Sequence, residues 1–153
     1  MRALELKVPP VAQFLIAAAA MWLLRALFPS AVFSFPGQLL AASVVLLAGG
    51  LVGLAAVRAF LQAGTSANPL RPDQAVRLVR GGIYARTRNP MYLALILALA
   101  AWGLWLGSAL SLLPVPLFIV ALNRLQVAPE ERALEARFGA EFVNYKRKVR
   151  RWL

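Results

Sequence analysis

Residues 91–125 read MYLALILALAAWGLWLGSALSLLPVPLFIVALNRL, with no charged side chain from Met91 through Asn123. The stretch is too long for one buried helix, and it contains its own turn signal, Gly107-Ser108. Each arm, Met91 to Leu106 and Ala109 to Leu125, is near the lower limit of about 17 residues for crossing a bilayer. The pair therefore predicts a tight transmembrane hairpin. Proline lacks the amide hydrogen that would close a helical turn. Pro114 and Pro116 should therefore bend the second arm and free carbonyls for another helix or a lined cavity to satisfy.

Two more apolar runs lie upstream. Val8 to Phe28 exceeds the apolar part of a secretory signal, about 7–15 residues, and further spans follow it, so it reads as span one. Arg25, in its last turn, either snorkels to the interface or faces the bundle interior. Gln38 to Leu61 is span two. Its Gly49 and Gly53 form a small-xxx-small step that admits another helix, from the same chain or a second copy.

Composition agrees with this count. Apolar residues make up 61% of the 153 positions and the mean hydropathy is +0.68, well above the roughly half-apolar usage of soluble domains. The expected class is all-α: a polytopic membrane protein of four transmembrane helices, forming a single domain over residues 1–153. The chain has neither Cys nor His. Disulfides, thiolate nucleophiles, imidazole acid–base catalysis and Cys/His metal sites are thereby excluded, and no metal is expected.

The net charge of +11 invites a nucleic-acid reading, but the basic residues flank apolar spans instead of forming a soluble basic domain. No nucleic-acid partner is expected. Arg2 and Lys7 precede span one, Arg71, Arg77, Arg80, Arg86 and Arg88 lie in the loop 62–90, and Arg132, Arg137 and Lys146 through Arg151 lie in the tail 126–153. The loop Pro29 to Gly37 and the hairpin turn are uncharged. With four spans, all basic segments share one side, so both termini are expected in the cytoplasm of a bacterial cell bounded by this membrane. Asp73 to Arg80 suggests a short helix ending at Gly81-Gly82. In the tail, Pro129 suits a first helical position with Glu130 and Glu131 following. Leu134, Phe138, Phe142, Tyr145 and Val149 then recur at helical steps, with Gly139 as an interruption.

Two polar clusters remain: Gly82 to Tyr92 ahead of span three, and Asn123-Arg124 with Pro129-Glu130-Glu131-Arg132 after span four. A hairpin makes the start of one arm and the end of the other neighbours, so both clusters should overlook one membrane-embedded pocket. Singly, each has an ordinary explanation. Arg86 and Arg88 serve as positive-inside anchors, Tyr84 and Tyr92 as interfacial aromatics, and the glutamates as partners of the helix dipole.

Together, GIYARTRNPMYL (82–93) and PEERALEARFGAEFVNYKRKVRRWL (129–153), with Thr65-Ser66-Ala67-Asn68-Pro69, resemble the isoprenylcysteine carboxyl methyltransferases and their bacterial relatives. The wider group includes the phospholipid N-methyltransferases. The likeness covers about the last ninety residues. It implies an integral-membrane enzyme using S-adenosylmethionine, with a lipophilic or lipidated substrate and membrane lipids as partners. Carried across, it implies that Tyr84, Arg88, Asn89, Pro90, Met91 and Tyr92 contact the cofactor, that Leu78 and Val79 line its approach, and that Glu130 holds its polar end. Arg124 is the nearest match to the family's substrate-gripping arginine, although an ungapped match lands on Gln126. Asn89 stands where the family signature has His, and Ala94 where Gly is frequent.

The chemistry suits these residue types. Methyl transfer from a sulfonium is an in-line displacement that needs alignment more than a nucleophilic side chain. A carboxylate accepts hydrogen bonds from ribose or ammonium, tyrosine faces attract a cation, and an arginine grips a carboxylate. A carboxylate acceptor needs no base. A protonated amine does, from Glu131, a tyrosine or solvent. Spans two to four are expected to form the acceptor tunnel. Phospholipid or other amine N-methylation is the alternative enzymatic reading, and a small transporter or accessory subunit the reading from another class. Spans two to four lack a mid-membrane ionisable residue, which disfavours transport.

Overall fold

The computed structural model describes residues 5–64 and 76–153. Helix α1 runs Pro10–Leu27, α2 Gln38–Ala63, α3 Pro90–Leu106, α4 Pro114–Leu122, α5 Ala128–Phe138 and α6 Ala140–Lys148. The protein is a polytopic all-α membrane protein. Three helical segments, Pro10–Leu27, Gln38–Ala63 and Leu110–Phe138, are long and apolar enough to cross a membrane, and α3 is a shorter apolar helix of 17 residues.

α3 is the axis of the bundle. Gly49 and Gly53 set α2 directly on it: a Cβ at Gly49 would lie 3.0 Å from Leu97 Cβ, and one at Gly53 would lie 3.3 Å from Ala94 Cβ. The small-residue step is thus used within the chain. On the other side, α1 and α4 close a core of Met21, Leu99, Leu106, Phe118 and Leu122. The outward face of α2, including Leu39, Leu47, Leu51, Leu54 and Leu61, is exposed, as expected of a surface facing lipid.

The end with the uncharged loop and hairpin turn is sealed by backbone-directed bonds. Gly107 ends α3 at φ +60°, and its carbonyl accepts from Phe33 N at 2.8 Å. Ala109 N donates to Ala31 O at 3.0 Å, flanking an isolated antiparallel bridge between Val32 and Ser108. Of the two readings of Arg25, contact with the bundle is what occurs: its Nε donates to Leu106 O at 3.2 Å. Gln38 Nε2 donates to Leu104 O at 2.8 Å. Both add donors to carbonyls at the C-terminal end of α3, where helical N–H groups run out; Leu104 O also accepts from Gly107 N at 3.2 Å.

Two expectations need correction. The fourth span does not stop at Leu125 to restart at Pro129. A 3-10 turn over Leu110–Leu112, α4, a π-turn over Asn123–Val127 and α5 follow one another as one helical run. Ala128 N bonds Asn123 O, five residues back. Pro129 cannot supply the N–H that would normally reach Leu125 O, and Leu6 N takes that carbonyl at 2.9 Å. The helix expected over 73–80 is also absent from 76–80, which run as bend and irregular chain; 73–75, like Thr65–Pro69, lie outside the described residues. Gly139 does break the tail, at φ +51°, separating α5 from α6.

Candidate active site

At the other end, residues 77–92, α5 and α6 meet the ends of α1, α2 and α3 around a cavity of about 410 Å³. A 3-10 turn over Gly82–Ala85 presents Tyr84, whose ring meets Phe60 edge-on at 5.4 Å and whose carbonyl accepts from Tyr145 Oη at 2.6 Å. Met91, Tyr92, Ala94 and Leu95 enter from the first turns of α3, and Phe142 and Tyr145 from α6. Gly53, Val57 and Phe60 form one stripe of α2 along the wall. The lining is thus largely apolar and rich in aromatic rings, with the carboxyl groups of Glu130 and Glu131 from α5.

The two glutamates, adjacent in sequence, have different surroundings. Glu130 Oε2 accepts from Tyr92 Oη at 2.7 Å. Glu131 is clasped by two guanidinium groups: Arg88 Nη2 donates to Oε1 at 2.7 Å, while Arg151 reaches Oε1 with Nε at 3.2 Å and Oε2 with Nη2 at 2.6 Å. Arg88 and Glu131 side chains are each only 11% exposed, so this pair is shielded from the screening that weakens surface ion pairs.

The last turn of α6 and the chain beyond it are strapped across the start of α3. Arg88 Nη1 donates to Lys146 O at 3.1 Å and Val149 O at 2.6 Å. Arg88 N donates to Arg150 O at 3.0 Å, and Thr87 Oγ1 and Asn89 Nδ2 both donate to Arg151 O, at 3.0 and 3.1 Å. Burial pushes the Tyr145 phenol up to about 12, against the pull of Arg88 and Arg80. Burial, then Glu130 and Tyr145, raises Tyr84 well above the ordinary phenol range. Both rings stay neutral near pH 7, so neither is a ready proton acceptor.

Leu78, Val79, Tyr84, Arg88, Asn89, Met91, Tyr92, Glu130 and Glu131 all line this one cavity. Pro90 does not; it is buried as the first residue of α3. Arg124 does not either: it is exposed on the π-turn and outside the lining. Arg88 lines the wall, but most of its N–H groups serve Glu131 and the tail. Sequence reasoning missed Pro10 and Val11 of α1, the α2 stripe and Arg151. The stripe carried a signal, since Val57 and Phe60 follow Gly53 at helical spacing; Arg151 carried none within its basic run.

Fold and cavity together define an integral-membrane helical protein with a ligand-sized pocket at its polar end. Residues 38–141, from α2 into α6, match the family described as phospholipid methyltransferase, and the chain belongs to that family. An uncharacterized protein of Haemophilus influenzae (strain ATCC 51907 / DSM 11121 / KW20 / Rd) is 56% identical over 63 residues, 41% of this chain and 100% of that relative. No solved structure gives a significant match. The family is the wider group of the resemblance, and membership carries methyl transfer at the membrane without specifying the acceptor.

Proposed function

We propose that this protein uses S-adenosylmethionine to N-methylate an amine carried by a lipophilic molecule of the bilayer. The observation that carries this reading is the pairing of Glu130 with Tyr92 in an aromatic-walled cavity. Glu130 forms no ion pair among the described residues, so its carboxyl group is the cavity's own acidic function. The residues fit the donor: a 410 Å³ space is within the usual range of about 300–1,000 Å³ for small-molecule sites. Arg88 Nε, a buried N–H without a partner among the described residues, adds a hydrogen-bond donor to the wall.

When bound, S-adenosylmethionine supplies an electrophilic methyl on a sulfonium. The rings of Tyr84, Tyr92 and Phe142 favour a cation beside them by about 0.5–2 kcal/mol each when the geometry is good. The apolar lining from Val57, Leu95 and Leu134 excludes water. An ammonium acceptor must lose its proton before its lone pair can attack. Glu130 is the better base than Glu131, whose oxygens are engaged by arginines. The acceptor's apolar part would lie in a crevice of about 670 Å³ lined by Phe14 and Ala18 of α1, Leu39 and Leu46 of α2, and Ala98 and Trp102 of α3. This crevice draws on spans one to three, where the sequence pointed to spans two to four. By the positive-inside bias the basic end, with the cavity, would face the cytoplasm.

A carboxylate acceptor is the second reading, favoured by Arg77 in the lining. Calorimetry on purified protein tests the donor site: binding is expected, and Glu130→Gln should abolish it. No binding by the folded, unsubstituted protein at millimolar donor defeats both readings. With labelled donor and membrane lipid, base-stable label supports the amine and a base-labile methyl ester the carboxylate.

A further inference from the structure

Why should a cavity suited to a cation have two glutamates on its wall and yet expose the charge of one? Four groups meet around the two acids, the carboxylates of Glu130 and Glu131 and the guanidiniums of Arg88 and Arg151, while Arg77 stands elsewhere in the lining. Arg151 approaches Glu131 as a fork, with separate N–H groups on the two carboxylate oxygens at 3.2 and 2.6 Å, the arrangement in which arginine holds a carboxylate most firmly. Its third nitrogen, Nη1, reaches Asn123 Oδ1 at 3.4 Å on the π-turn. Its carbonyl is fixed by Thr87 and Asn89 just ahead of α3. Arg151 therefore joins the chain terminus, the start of α3, the π-turn and α5, although it is not itself part of the cavity lining.

We propose that Arg151 is a positioning residue that sets the charge selectivity of the cavity by neutralising Glu131, leaving Glu130 as the single acidic group presented to a ligand. The idea rests on the donor-binding reading above. With both guanidiniums present, these four groups sum to zero when both glutamates are ionised, and Arg77 adds a positive charge that is the same in every variant below. Removing the Arg151 charge makes the surroundings of the pocket more negative by one unit. That excess attracts a sulfonium but gives no comparable benefit to the neutral thioether left after methyl transfer.

The experiment compares dissociation constants for S-adenosylmethionine and S-adenosylhomocysteine, by calorimetry on the full chain at fixed low salt. Arg151→Gln should shift their ratio by about five-fold toward the sulfonium, in the direction of Coulomb attraction through a partly shielded medium. Arg151→Lys keeps the charge and should keep the unsubstituted ratio. The double variant Glu131→Gln with Arg151→Gln removes one charge of each sign and should restore it. A purely structural role would weaken both ligands together and leave the ratio alone. A ratio unchanged within two-fold in Arg151→Gln, or not restored in the double variant, overturns the proposal. If Arg151→Gln fails to fold, an unchanged ratio in Glu131→Gln, where a shift away from the sulfonium is expected, does the same. Failure of the unsubstituted protein to bind either compound overturns the donor-binding reading itself.

Discussion

The two ends of the bundle solve the same problem, the unsatisfied carbonyls and amides at helix ends, with opposite chemistry. At the end with the uncharged loop and hairpin turn, Arg25, Gln38 and the 31–33 segment each donate to a nearby backbone carbonyl, and the turn closes tightly. At the polar end, Arg88 also caps backbone carbonyls, but it does so while paired with a carboxylate, and the helices stand apart around a cavity. One end spends its polar groups on closure. The other retains a carboxyl group, Glu130, with only a phenol as its described hydrogen-bond partner.

That contrast can be broken by substitution. The largest effect is expected from Arg88→Ala, which leaves Glu131 with one partner and frees the tail carbonyls. Removing one member of a buried pair should cost about 3–5 kcal/mol, read as a lowered thermal midpoint in detergent together with faster proteolysis beyond residue 145. A loss below about 1 kcal/mol would mean that the tail is held by something else. At the opposite end, Gly107→Ala puts a Cβ 2.7 Å from Phe33 O at φ +60°, a strain of about 2–3 kcal/mol. Its thermal midpoint should fall while the folded fraction binds donor normally; impaired binding would show that the two ends are coupled. The smallest effect on stability belongs to Tyr92→Phe. It deletes the phenol's hydrogen bond to Glu130, so donor affinity should drop about ten-fold with the thermal midpoint nearly unchanged, and equal affinity would remove Tyr92 from the site.

Apolar run lengths made the spans legible, because a bilayer imposes the same length on every crossing. The hairpin turn was legible too, since Gly107 adopts a left-handed backbone that glycine favours. That the start of α3 and the residues after α4 share a cavity followed from connectivity alone. What could not be read was azimuth and long-range pairing. Glu130 and Glu131 are indistinguishable in sequence, and only the return of the tail, sixty-odd residues beyond Arg88 (63 from Arg88 to Arg151), separates them. Arg124 was reached by its distance from the glutamate pair in the resemblance, and that distance does not say which way a residue on a π-turn faces.

That π-turn has a consequence for evolution and engineering alike. A wide turn holds one residue more than the α-helical count, so everything after it is rotated by about 100° relative to an uninterrupted helix. Which of two neighbouring glutamates looks into the pocket is therefore governed by chain length several residues upstream. Excising a single residue from 123–127 would turn α5 about its own axis and re-aim both acids without altering either one.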